Sequence, residues 1–96
     1  MNLPVREQSD NLYRAILSLR DMEECRRFFH DLCTMAELQA MSQRIDVALL
    51  LHHGMIYDEI LQRTGSSSAT ISRVKRALQY GEGGYRDVLP RIEGET

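Results

Sequence analysis

Residues 47–51, Val-Ala-Leu-Leu-Leu, are the longest apolar run in a chain of 96 residues, and they close a helical pattern. Upstream and through the run, Leu38, Met41, Ile45, Ala48, Leu49 and His52 recur at steps of three and four, which places them on one helix face. Val47, Leu50 and Leu51 widen that stripe until the end of the helix is apolar almost all round, and such a helix has to be buried on more than one side. A chain of this length buries only about 60–65% of its unfolded surface by itself. Small domains supplement a core of that size with a disulfide framework, a metal or a partner subunit. Cys25 and Cys33 are the only cysteines, and their spacing fits neither a zinc site nor a disulfide framework, so they are expected as two small hydrophobes in a reduced cell interior. A second subunit is then the expected supplement, and no metal or other cofactor is expected. The apolar run is far too short to span a bilayer. The opening MNLPVREQSD is polar, with no signal peptide behind it, so a cytoplasmic protein without membrane contact is expected.

The rest of the chain lacks the alternation of a strand, and the expected class is all-α with about six helices. Residues 1–8 are expected as a flexible arm. A first helix is expected over 9–19, with Leu12, Ile16 and Leu19 on one face and Tyr13 and Leu17 beside them. Asp21 with Glu24, and Thr34 with Glu37, have the spacing of capping boxes and predict helices starting near Met22 and Met35. The first of these should bury Met22, Cys25, Phe28, Phe29, Leu32 and Cys33, and Gly54 should end the second. His52 and His53 favour the dipole at that helix end. Residues 9–53 are therefore expected to be the dimerisation helices of a single helical domain covering 1–96. A last short helix is expected over 85–89, stopped by Pro90, with a loose tail over 91–96.

Residues 57–80 have the shape of a helix-turn-helix: two short helical segments joined by a turn containing Gly65. Ile60 and Leu61 on the first segment, and Ile71 and Val74 on the second, supply apolar residues where the helices would meet. Gly65 suits a turn residue at positive φ, and Ser66, Ser67 and Ser68 offer hydroxyls to cap the second helix. The net charge is −2, yet residues 65–81 contain no acid and do contain Arg73, Lys75 and Arg76. Eleven of the twelve basic residues are arginine, which favours forked contacts to phosphate or guanine. The small residues at the start of the second helix would let its tip enter a major groove about 12 Å wide. The candidate DNA contacts are Ser67, Ser68, Ala69, Thr70, Ser72, Arg73, Lys75 and Arg76. No Asp, Glu, His or Cys lies between Gln62 and Gly81 to act as base, nucleophile or ligand, so no enzyme is expected here.

At these residues the sequence resembles the Trp repressor superfamily, most closely its YerC/YecD branch, over about residues 32–78. The most specific piece is Gly65-Ser-Ser-Ser-Ala-Thr-Ile-Ser-Arg73, which is similar to the Gly-x-x-x-Ala-Thr-Ile-[Ser/Thr]-Arg that opens the family's recognition helix. Gln43-Arg44, the apolar run and Gly54-Met55 resemble the family's long central helix and its exit. The resemblance implies an intertwined homodimer with two reading heads about 34 Å apart on double-stranded DNA, and a palindromic operator. It also implies that Arg44 and Arg73 stand where the founding members hold tryptophan as corepressor. This chain departs from them at Val74, where they carry the glycine that leaves space for the indole. It also departs by one residue missing near Gly54-Met55, and by Tyr57, Asp58 and Leu61 at positions that are polar or basic in them. The expectation is therefore a transcriptional regulator, repressor-like, that does not respond to tryptophan. The alternatives are a helical protein–protein adaptor that binds no DNA, to which the net negative charge and Asp58–Glu59 would be suited, and a regulator gated by another small-molecule corepressor.

Overall fold

The structure, a computed structural model, describes residues 5–93. Six helices account for the regular structure, with no strand among the described residues: α1 (Val5–Leu17), α2 (Met22–Leu32), α3 (Met35–His52), α4 (Tyr57–Thr64), α5 (Ser68–Tyr80) and α6 (Gly84–Glu93). They fall into two compact units, one reaching Leu38 and the other starting at Gln39, so the boundary lies inside α3.

In the first unit, local hydrogen bonding sets the helix limits. The Asp21 side chain accepts from the Glu24 N–H at 2.8 Å and starts α2. At α3 the box closes in both directions: the Thr34 N–H donates to Glu37 Oε1 at 2.8 Å, and the Glu37 N–H donates to Thr34 Oγ1 at 3.1 Å. Each exchange satisfies donors that a helix start leaves without intrahelical partners. The first helix corrects the expectation in two ways. It begins at Val5, so residues 5–8 of the expected arm are helical, as the helix formers Arg6, Glu7 and Gln8 allow; residues 1–4 lie outside the described part. It also ends two residues early, because the Ser18 hydroxyl donates to the Ala15 carbonyl at 2.6 Å and competes with the backbone ladder.

Among residues 9–38 none is fully buried. Cys25, Phe28, Phe29 and Cys33 are half-buried, with the two phenylalanine rings edge to face at 5.6 Å. Met22 and Leu32, expected inside, are exposed in the single chain.

The second unit has a core. Val47 and Ala48 of α3, Ile60 of α4, Ile71 and Val74 of α5 and Leu89 of α6 form one buried cluster, and Leu49, Leu50, Leu51, Met55, Leu78 and Tyr85 pack against it. The apolar run is thus the platform on which the later helices rest. Leu61, expected as a second contact of α4, is exposed, because Ile60 alone points into the cluster. Pro90 does not stop α6. It removes one N–H from the ladder, yet the helix runs on to Glu93, so residues 91–93 of the expected tail are helical. Two contacts hold this last stretch. Leu89 is fully buried beside the proline, and the Glu93 carboxylate meets two imidazoles at the end of α3: His52 Nε2 lies 3.5 Å from Oε2, and His53 Nε2 contacts Oε1.

Leu89→Ala is expected to remove about 2–5 kcal/mol of stability in urea denaturation, because it empties the single α6 position in the buried cluster. The Thr34 N–H and hydroxyl hold the Glu37 carboxyl below its ordinary value. A carboxylate whose value is lowered by folding stabilises fully above its unfolded value, and that contribution is lost as pH falls through the lowered one. Thermal melts of Glu37→Gln are therefore expected to lose less stability than those of the unaltered protein as pH falls below about 5.

Candidate nucleic-acid interface

The turn between α4 and α5 is built from three neighbouring residues. Gly65 lies in the left-handed region, at φ 68° and ψ 10°, and its N–H closes α4 onto the Leu61 carbonyl. An L side chain there would cost about 1–2 kcal/mol. The Thr64 hydroxyl donates back to the Ile60 carbonyl at 2.8 Å and accepts from the Ser66 N–H at 3.1 Å. Ser67 then caps α5, accepting from the Thr70 N–H at 3.2 Å.

This turn aims α5. Ile71, Val74 and Leu78 point to the core, with Ile71 and Val74 each 1% exposed, so the opposite side of the helix faces outward. The candidate contacts divide accordingly. Ala69, Ser72, Arg73 and Arg76 line one open groove of about 650 Å³ that continues along Ala77, Tyr80 and Gly81. Ser68 is exposed at the first helical position. Lys75 is exposed too, but it lies outside that groove. Ser67 and Thr70 are occupied with each other: their hydroxyl oxygens are 3.0 Å apart, Ser67 serves as the cap, and Thr70 is half-buried.

Charge along α5 itself is positive, with an acid, Glu82, directly after Gly81. Residues 65–81 carry no acid, and among the described residues no carboxylate pairs with Arg73, Lys75 or Arg76. The nearest acids in sequence on the turn side, Asp58 and Glu59, belong to the first turn of α4. Arg44 is half-buried on α3, and it does not line the groove that contains Arg73. Val74, at which the sequence departs from the glycine of the founding members, is buried in the cluster it shares with Ile60 and Ile71. Tyr80 was missed by the sequence reading. Its signal was available: it continues the spacing Ala69, Ser72, Arg76, Tyr80, which keeps to one helix face.

Six helices without a strand among the described residues, with α4 and α5 joined at a left-handed glycine and an arginine-bearing second helix turned outward, define a Trp repressor-like helix-turn-helix protein. The comparisons with known proteins agree. The model of the Trp repressor protein family matches residues 7–93. The uncharacterized protein YerC of Bacillus subtilis (strain 168) is 52% identical over 91 residues, which cover 94% of this chain and 88% of YerC. The crystal structure of a candidate Trp repressor from Staphylococcus aureus superposes with a TM-score of 0.86 at 44% identity, covering 96% of each chain. That of a TrpR-like protein from Eubacterium eligens gives 0.85 at 45% identity, covering 91% of this chain and 90% of the other. The chain belongs to the Trp repressor protein family, and within it resembles YerC.

Ser67→Ala is expected to destabilise by about 1 kcal/mol through loss of the α5 cap. Ser68→Ala, one residue on and exposed, should stay within about 0.5 kcal/mol of the unaltered protein in the same urea titration.

Proposed function

We propose that this protein is a sequence-specific, DNA-binding transcriptional regulator of repressor type, working in the cytoplasm as a homodimer and without tryptophan. The observation that carries the reading is the outward face of α5, where Arg73, Lys75 and Arg76 are exposed and unpaired by the described carboxylates on an acid-free segment. Cations held away from carboxylates keep their full attraction for phosphate. The small residues Ser68, Ala69 and Ser72 let the helix approach base edges in the major groove, where hydroxyls can donate or accept. Ser67 and Thr70 complete the tip through their hydroxyl pair, and Thr70 keeps its methyl group for apolar contact.

Support for a second copy comes from the first unit. Leu12, Tyr13, Leu17, Met22, Leu32 and Met35 are all exposed in the single chain, Leu17 at 85%. Six large apolar side chains on α1, α2 and the first position of α3 form more exposed apolar surface than a monomeric protein usually leaves in water. A partner of the same sequence would cover this surface and would carry a second α5, so the operator would be a palindrome with half-sites about one turn of DNA apart.

The reading without tryptophan rests on Val74. Its branched side chain is packed into the core, so the space that the founding members of the family keep for an indole is taken up by protein. Arg44 and Arg73 are then free for other work: Arg73 for phosphate or guanine, and Arg44 for a neighbouring carbonyl or acid.

A mobility shift on duplexes from the protein's own upstream region, without added tryptophan, tests the reading. A complex is expected whose affinity falls with salt at a log–log slope of about −0.9 for each phosphate neutralised. Arg73→Ala and Arg76→Ala should each weaken it by about 1–3 kcal/mol, and added tryptophan should leave it unchanged. The absence of any salt-sensitive complex would leave the adaptor reading in its place.

A further inference from the structure

We infer that the C-terminal half of the α5 groove, formed by Arg76, Ala77, Tyr80 and Gly81, is a seat for the DNA backbone, in which the Tyr80 hydroxyl donates to a phosphate beside the Arg76 guanidinium. This deepens the DNA-binding reading and rests on it. Three observations meet here. Tyr80 is 81% exposed, more than any other large apolar side chain among the described residues of the second unit. It lies four residues beyond Arg76 on the same helix face, and both line the groove with Ala69, Ser72 and Arg73. At the end of that groove Gly81 closes α5 tightly: a Cβ built there would fall 2.3 Å from the Ala77 carbonyl oxygen, so no other residue fits without moving the helix end that carries Tyr80.

The dimensions place this half of the groove at the DNA backbone. The major groove is about 12 Å wide and about 8.5 Å deep. With a rise of about 1.5 Å per residue, Arg73 lies about 7 Å along α5 from Ser68, Arg76 about 12 Å and Tyr80 about 18 Å. A helix tip at the floor of the groove therefore reaches the rim near Arg73, and it carries Arg76 and Tyr80 out among the phosphates. Base reading is then confined to the first turns of α5, and its last turns hold the backbone. Tyrosine suits the outer position because its ring packs on sugar while its hydroxyl donates to phosphate. The partner's chemistry is a phosphodiester, matched by cations that the described carboxylates do not neutralise.

The test is fluorescence anisotropy of the full chain on a labelled mixed-sequence duplex, run as a salt series, with Tyr80→Phe, Tyr80→Ala and Arg76→Gln. Circular dichroism melts check folding; the exposed position of Tyr80 predicts unchanged midpoints. Tyr80→Phe, which removes only a neutral donor, should lower affinity about two- to tenfold and leave the salt slope as it was. Tyr80→Ala should lower affinity further, again at constant slope. Arg76→Gln should reduce the slope by about 0.9. If the unaltered protein binds with a salt-dependent affinity and both Tyr80 variants match it, the backbone seat is overturned while the DNA-binding reading stands. If the unaltered protein binds no duplex at low salt, both are overturned.

Discussion

The contact on which the candidate site depends is the one Ile60 makes with Ile71 and Val74 over the platform of Val47 and Ala48. It has no chemistry of its own. Its effect is directional: with one side of α5 committed to the core, the opposite side must face water. The left-handed Gly65 makes this possible by turning the chain within a single residue. Burying side chains such as these contributes about 1.5–3 kcal/mol each. No single exposed polar contact of α5 matches that, so packing fixes the orientation of α5 and its polar residues follow. Val74 matters twice over, since the branched side chain that locks α5 to α4 is also the position on which the proposed independence from tryptophan rests.

The proposed second copy follows from the other unit. Burial of six side chains of the size of Leu17 and Met22 contributes on the order of 10 kcal/mol, comparable with the about 4–15 kcal/mol that association costs. The balance can therefore favour a dimer, and the apolar faces of α1 and α2 have no other visible use. The sequence is arranged consistently with this. Ten of its fourteen acids lie ahead of residue 60, and the stretch over residues 65–81 carries Arg73, Lys75 and Arg76 without an acid.

Much of this was legible in the sequence wherever the determining interactions are local. The caps at Asp21 and Thr34, the turn at Gly65 and the cap at Ser67 each involve residues no more than four apart, and the structure forms all of them. The readings that failed are those where a distant contact decides. Pro90 carries the local mark of a helix end, yet α6 continues because Leu89 is seated in the core and Glu93 meets His52 and His53 from about forty positions along the chain. Leu61 and Ile60 are equivalent in composition, and only the angle at which α4 crosses α5 chooses between them. Within the candidate site, spacing grouped Ala69, Ser72, Arg73 and Arg76 but did not reveal that Ser67 and Thr70 are engaged with each other, since hydroxyl pairing leaves no mark in a pattern. The spacing that puts Tyr80 on the same helix face was legible, but only its 81% exposure distinguishes it as a candidate contact.

The central claim is that the outward face of α5 is the surface that meets DNA. Amide NMR of the isotopically labelled protein, titrated with a duplex enriched from genomic fragments, addresses it residue by residue. The account predicts that the signals which move or broaden cluster on α5 and its turn, at Ser68, Ala69, Ser72, Arg73 and Arg76, while those of α1 and α2 stay in place. Movement confined to α1 and α2, or none at saturating duplex, would contradict it.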